Sequence, residues 1–141
     1  MDIEELKTII INGSTSEKVY IFSYLVDVFN SYSKNIMNLQ EILEVLIDYV
    51  VTSPDDDAKS EALDAICSAQ GNQDTINIDF DKIENELIKN TFTKYIEKYI
   101  EILGNTHDKK YLQTILQFQD REEWYIKEAI HYALIEMGIE A

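Results

Sequence analysis

The stretch SPDDDAKSEALDAICSAQG, residues 53–71, shows most clearly how this chain folds, because it contains a helix start followed by a face of small residues. Ser53 stands where a helix N-cap is expected, and Pro54 suits the first helical position. Residues 55–57 are aspartates, which stabilise a first turn because they face its unpaired N–H groups. The stretch therefore predicts a helix that is capped by Ser53.

The body of this predicted helix has two different faces. At about 100° per residue, the face toward the core consists of small or aliphatic residues that allow neighbouring helices to approach closely: Ala58, Ala62, Ala65, Ile66 and Ala69. The other side carries Asp57 and Asp64, with Glu61 on its flank. We call Asp57, Glu61 and Asp64 the acidic stripe, and we predict that it binds a protein partner.

Helical periodicity extends over almost the whole chain, and its few glycines and single proline separate the periodic segments. Apolar residues recur at helical spacing within residues 3–10, 19–29, 39–50, 58–69, 80–103, 112–116 and 126–137. The longest of these segments includes Phe92 among its apolar positions, and its phase shifts at residues 89–91. The pattern predicts a single all-α domain over residues 1–141, with six or seven helices.

Two parts of the chain are alike. NLQEIL at residues 38–43 matches YLQTIL at 111–116, and each is followed by an acidic turn and an alanine-containing helical segment. This arrangement resembles HEAT-like repeats, which implies helices stacked as antiparallel hairpins. An irregular helical bundle is the alternative architecture, in which the similarity is a coincidence of amphipathic helices.

Charge is the strongest feature of the composition. The chain has 27 Asp and Glu residues against 12 Lys and Arg, which gives a net charge of −15. A protein that binds nucleic acid directly needs clustered cations, so this balance argues against DNA or RNA as a partner. The same charge would accelerate association with a basic protein, although acidity can also serve solubility alone.

No motif in the sequence indicates catalysis or a bound cofactor. The aspartates at 55–57 lack the alternating acids, central glycine and terminal glutamate of a calcium loop. Two isolated histidines and the lone Cys67 do not form a zinc-ligand pattern, and no phosphate-binding loop or nucleophile elbow is present. We therefore expect no enzyme activity, no metal and no cofactor.

The ends and apolar runs of the chain indicate a cytoplasmic protein. The N-terminal MDIEELKTII begins with acids where a secretory signal requires bases. No stretch approaches the roughly 20 apolar residues that cross a bilayer. We expect neither export nor membrane association.

The last helical segment carries apolar residues on two sides. Its predicted inward face consists of Ile126, Ile130, Ala133, Leu134 and Met137. The opposite side carries Trp124, Tyr125, Tyr132 and Ile135 around Glu128. Either the segment 79–103 covers this second side, or Trp124, Tyr125, Glu128 and Tyr132 form a partner-binding surface, since aromatic anchors are typical of interface hot spots.

In size, helical class and acidity the chain resembles the small immunity proteins of bacterial toxin systems, including those of contact-dependent growth inhibition. The resemblance implies that the protein binds a cognate toxin domain, often a basic nuclease, and blocks its active site with carboxylates in place of substrate phosphates. The alternative function is an acidic helical adaptor or scaffold subunit that binds a peptide or another protein.

Overall fold

The computed structural model describes residues 2–31 and 36–139. Within these ranges the protein consists of eight α-helices and one short 3-10 helix, and no residue is in a strand. The helices are α1 (Ile3–Asn12), α2 (Thr15–Asn30), α3 (Leu39–Thr52), α4 (Asp57–Asn72), α5 (Asp81–Lys89), α6 (Ile96–Asn105), the 3-10 helix Lys109–Tyr111, α7 (Leu112–Leu116) and α8 (Trp124–Glu136). The predicted all-α fold is confirmed.

Eight helices are present rather than six or seven because the segment 80–103 is divided. The loop 90–95 separates α5 from α6 at the point where the phase of the apolar pattern shifts. By its contacts the chain divides into two compact units, Met1–Ile78 and Asp79–Ala141. The expectation of a single domain over 1–141 stays a prediction.

The first unit is built around α4. This helix packs most extensively on α2 and also on α3, while α1 contacts α2 and α3. The small-residue face predicted for α4 is buried as expected: Ala58, Ala62, Ala65, Ile66 and Ala69 are all fully inaccessible. Leu63 is buried as well, so α4 is covered over more of its circumference than the sequence pattern indicated.

The start of α4 lies later than predicted. Ser53 ends α3, and the N-cap of α4 is Asp56, whose side chain accepts a hydrogen bond from the Lys59 backbone N–H. Asp is as good a capping residue as Ser. With Asp56 as the cap, Asp57 is the one acidic residue in the first turn of α4. The prediction of a Ser53 cap was therefore wrong. The aspartates at 55–57 are also good N-cap residues, and the sequence pattern does not distinguish among them.

The second unit consists of two helical hairpins in a constant register. Hydrogen bonds join the segment 81–107 to the segment 111–136, and the two bonded residues are 29 or 30 positions apart in the chain. The bonded pairs are Asp81–Tyr111, Glu84–Thr114, Thr91–Arg121 and His107–Glu136. Because this difference in residue number is nearly constant, the two segments run in the same direction. The α5–α6 hairpin thus stacks on the hairpin formed by the 3-10 helix, α7 and α8.

The first unit shows the same direction of stacking between α2 and α4. Ser23, at the middle of α2, bonds to Glu61 in the first half of α4, and Asn30 bonds to Asn72 at the ends of the two helices. In each unit, therefore, the second helices of consecutive hairpins lie side by side and parallel. The matching segments 38–43 and 111–116 begin the second hairpin of their respective units, and the resemblance to HEAT-like repeats stays a prediction.

Candidate functional site

A groove of about 500 Å³ runs between α6 and α8 on the second unit. Two small residues of α8, Ala129 and Ala133, are among those that line it, and Ala133 lies against Gly104 of α6. The four residues of the predicted partner-binding surface on the last helix all line this groove: Trp124, Tyr125, Glu128 and Tyr132. Ile135, predicted on the same side, is not among the lining residues. Of the residues predicted to face inward, Ile126, Ile130, Ala133 and Met137 are buried and Leu134 is half-buried.

The aromatic side chains of the groove are open to solvent. Trp124 is 71% exposed and Tyr132 is 58% exposed, so the segment 79–103, all of which the structure describes, does not cover this side of α8. The Trp124 and Tyr125 rings meet edge to face, with centroids 5.8 Å apart and planes at 87°. Large exposed aromatics that are held by neighbours are suited to contact a partner with little loss of conformational entropy.

The groove is acidic along both walls. Glu97 and Glu101 lie one helical turn apart on α6, and Glu128 and Glu136 lie on α8. Among the described residues that line the groove, Lys98 is the one basic residue. Carboxylates beside solvent-exposed rings favour a ligand that carries positive charge, because cations are attracted both to carboxylates and to the faces of aromatic rings.

Arg121 organises the entry to α8. Its guanidinium donates two hydrogen bonds to Glu123, with Nη2 2.6 Å from Oε2 and Nε 3.3 Å from Oε1. This pairing lowers the pKa of the Glu123 carboxyl and raises the pKa of Arg121. Nη1 also donates to the Thr91 carbonyl at 3.2 Å, which ties the α5–α6 loop to the start of the helix that carries Trp124.

The acidic stripe lies on the first unit, and its three members have different environments. Asp57 is exposed. Glu61 is half-buried and accepts a hydrogen bond from the Ser23 hydroxyl of α2 at 3.0 Å, so it contributes to the packing of α2 on α4. Asp64 is also half-buried. The stripe is therefore less open than predicted, because α4 is the central helix of its unit.

The aspartates before α4 serve a buried lysine that the sequence pattern did not reveal. Lys59 is 1% exposed, and its ammonium Nζ lies 2.8 Å from Asp55 Oδ1 and 3.2 Å from the Ser53 carbonyl oxygen. A buried charge is costly unless it is paired and hydrogen-bonded. Asp55 and Asp56 thus have structural roles, as ion-pair partner and helix cap.

The sequence pattern misplaced one residue of the second unit and missed two residues of the groove. Phe92, predicted at an apolar helical position, lies in the α5–α6 loop and is 94% exposed, because α5 ends before it. Glu97 and Glu101 were not predicted as binding residues. Their spacing of four residues could have indicated a shared helix face, but not which helix lies opposite.

Within residues 2–31 and 36–139, no three His, Cys, Asp or Glu side chains are placed to hold one metal ion. None of the helices in those ranges combines the length and the apolar character needed to cross a membrane. Comparisons with protein-family models, curated proteins and solved structures found no match to this chain.

Proposed function

We propose that this protein is a non-catalytic immunity protein that binds a basic toxin domain and blocks its active site. The observation that carries the proposal is the groove between α6 and α8, where exposed aromatic side chains stand among four glutamates. This composition supports binding of a cationic protein surface, since aromatic residues supply contact area and carboxylates supply charge complementarity.

The charge of the whole chain supports the same proposal. A net charge of −15 steers a basic partner toward the protein and speeds the encounter at low ionic strength. A nuclease active site is built to bind phosphates, so the carboxylates of the groove can occupy positions that substrate phosphates would take. Inhibition then requires tight binding and no chemical step by this chain.

The proposal is tested by co-expression with the products of neighbouring reading frames. Each neighbour is expressed from a tightly controlled promoter in a bacterial host, alone and together with this protein. We expect one neighbour to arrest growth, and we expect the wild-type protein to restore it. The double variant Trp124→Ala, Glu128→Lys should fold normally, since both side chains are exposed, and should fail to protect.

Two results would contradict the proposal. If no neighbour arrests growth but one co-purifies with this protein, the adaptor or scaffold function is supported instead. If a neighbour is toxic and the double variant protects as well as the wild type, the groove is not the inhibitory surface. Glu5→Lys together with Tyr20→Ala is a matched control, because it changes an exposed carboxylate and an exposed aromatic on the first unit.

A further inference from the structure

The two walls of the groove are aligned by the parallel register of α6 and α8. Gly104 packs on Ala133, and His107 bonds to Glu136, so equivalent positions differ by 29 residues. Adding 29 to 97 and 101 gives positions 126 and 130. Glu97 is therefore level with the stretch from Trp124 to Glu128, and Glu101 is level with the stretch from Glu128 to Tyr132.

Because of this alignment, the same combination of an aromatic ring and carboxylates occurs twice along the groove. Trp124, Glu128 and Tyr132 follow one another at intervals of four residues on α8, while Glu97 and Glu101 do so on α6. Four residues of a helix rise about 6 Å. Glu97 is therefore across the groove from the interval between Trp124 and Glu128, and Glu101 is across from the interval between Glu128 and Tyr132. These two positions are about 6 Å apart along the groove.

Each position has the chemistry that binds a guanidinium group. A planar guanidinium stacks on an indole or phenol face and can pair with a carboxylate through two parallel hydrogen bonds. The ammonium of lysine is a compact, strongly hydrated point charge and cannot make the bidentate pairing. Arginine therefore fits the pairing of an aromatic ring with a glutamate better than lysine does.

The size of the groove indicates more than one partner side chain. Its volume of about 500 Å³ lies within the range of pockets that enclose a drug-sized ligand, which is larger than one side chain. Basic residues four apart on a helix are spaced by a rise of about 6 Å, which is also the spacing of the two groove positions level with Glu97 and Glu101. An apolar segment would instead have to desolvate four glutamates without compensation.

We infer that the groove between α6 and α8 receives a helical segment of the partner that carries two arginines four residues apart. The inference rests on the proposed function, because it names the partner chemistry of the same groove. Trp124 and Tyr132 receive the two guanidinium planes. Glu97, Glu101 and Glu128 accept hydrogen bonds from them.

Model peptides test this chemistry without knowledge of the partner. The probe is an alanine-rich peptide of about 18 residues, long enough to form a helix, with two arginines at positions four apart. Three comparison peptides carry the arginines side by side, lysines in their place, or neutral citrullines in their place. Trp124 is the only tryptophan of the chain, so its emission reports on the groove alone.

We expect a saturable change in Trp124 emission that is strongest for the arginine pair at the four-residue spacing. The citrulline peptide should bind at least about tenfold more weakly, because it lacks the charge that carboxylates and rings attract. Glu101→Gln should weaken the arginine peptide several-fold, whereas Glu5→Gln on the first unit should leave its affinity unchanged. Equal binding of the citrulline peptide, or no saturable change, would overturn the inference.

The peptide experiment and the growth experiment fail independently. If the double groove variant loses protection while no arginine peptide binds, the inference is wrong and the proposed function stands. If the arginine peptide binds as expected but no toxic neighbour is neutralised, the groove chemistry stands and the immunity function is wrong. Equal affinity of the lysine and arginine peptides would contradict the assignment of guanidinium and leave only a preference for charge.

Discussion

Gly104 of α6 lies directly against Ala133 of α8. A Cβ atom on Gly104 would stand 2.6 Å from the Ala133 Cβ and 2.7 Å from its Cα, which is closer than real side chains approach. The Ala133 Cα and Cβ atoms are fixed by the backbone of α8, so neither can move away by a side-chain rotation. The contact sets the distance between the two helices that form the groove, and it exists only because position 104 has no side chain.

The first prediction concerns this contact. Gly104→Ala should lower the free energy of unfolding by about 1 to 3 kcal/mol, as overpacked cores do, even though alanine favours helix formation by about 1 kcal/mol over glycine. Urea denaturation followed by circular dichroism measures the loss. Gly71→Ala is the matched control, because a Cβ there has no neighbour within 4 Å, and it should leave stability unchanged or increase it. A Gly104→Ala protein as stable as the wild type would contradict the close packing of α6 on α8.

The second prediction concerns the buried lysine of α4. Asp55→Ala leaves the Lys59 ammonium without its carboxylate at 2.8 Å and should cost about 2 to 3 kcal/mol of unfolding free energy. This is below the usual loss for a buried pair because the Asp55 side chain is 25% exposed. Replacing Lys59 by Met in the same protein should recover most of the loss, since no charge is then buried. Asp57→Ala, at an exposed neighbour, should change stability by no more than about 0.5 kcal/mol.

The third prediction is a dependence of stability on pH. A hydrogen bond from the Tyr111 hydroxyl, followed by one from Lys110, lowers the pKa of Asp81. A carboxyl whose pKa is lower in the folded state stabilises the protein above its unfolded pKa, and that contribution disappears as pH falls through the folded pKa. Asp81→Asn should therefore destabilise the protein at pH 7 and matter progressively less below about pH 4. Urea denaturation at pH 7 and below about pH 4, with Glu5→Gln as control, checks this. A loss of unfolding free energy by Asp81→Asn that grows as the pH falls would contradict the prediction.

The fourth prediction separates binding from stability at Trp124. The free protein should emit as a solvent-exposed indole, since this side chain is 71% exposed, and should shift to the blue when its partner binds. Trp124→Ala should weaken partner binding by about 2 kcal/mol or more, as hot-spot residues do, and change unfolding free energy by no more than about 0.5 kcal/mol. Phe22→Ala, at a fully buried ring, should instead cost about 3 to 5 kcal/mol of stability. A comparable stability loss for Trp124→Ala would show that the ring belongs to the core.

The fifth prediction concerns the association rate and distinguishes the two acidic surfaces. If the groove receives the basic partner, Glu101→Lys should slow association by about tenfold at low salt and less at high salt, while dissociation changes less. Asp57→Lys alters the net charge equally on the acidic stripe, and it does so without breaking the Glu61–Ser23 bond. Stopped-flow measurements at two ionic strengths compare them. A larger effect at Asp57 than at Glu101 would assign the encounter surface to α4.

The sequence by itself determined the helices and their inner faces. The buried alanines of α4 and the buried Ile126 and Ile130 of α8 follow from a spacing of three or four residues, which depends only on local backbone geometry. The same reasoning placed Trp124 and Tyr132 on the other side of their helix. These assignments needed no knowledge of which helices pack together.

Tertiary structure decided which side chains meet across the chain. Lys59 is buried on the apolar side of α4, where a lysine is rarely found, because Asp55 and the Ser53 carbonyl lie within reach of its ammonium. The N-cap of α4 is Asp56 rather than Ser53 for a related reason. Ser53 is the C-cap of α3, and the Asp55 carboxylate accepts a hydrogen bond from the Lys59 ammonium.

The groove is also a product of tertiary structure. Its aromatic wall is local to α8, but Glu97 and Glu101 come from a helix about 29 residues earlier in the chain, at the register set by Gly104 against Ala133. Periodicity shows that a residue lies on a given face of its helix, and it carries no information on the neighbour that this face will meet. That choice depends on the fit between distant surfaces, and here a glycine with no side chain brings acidic and aromatic residues to the two walls of one groove.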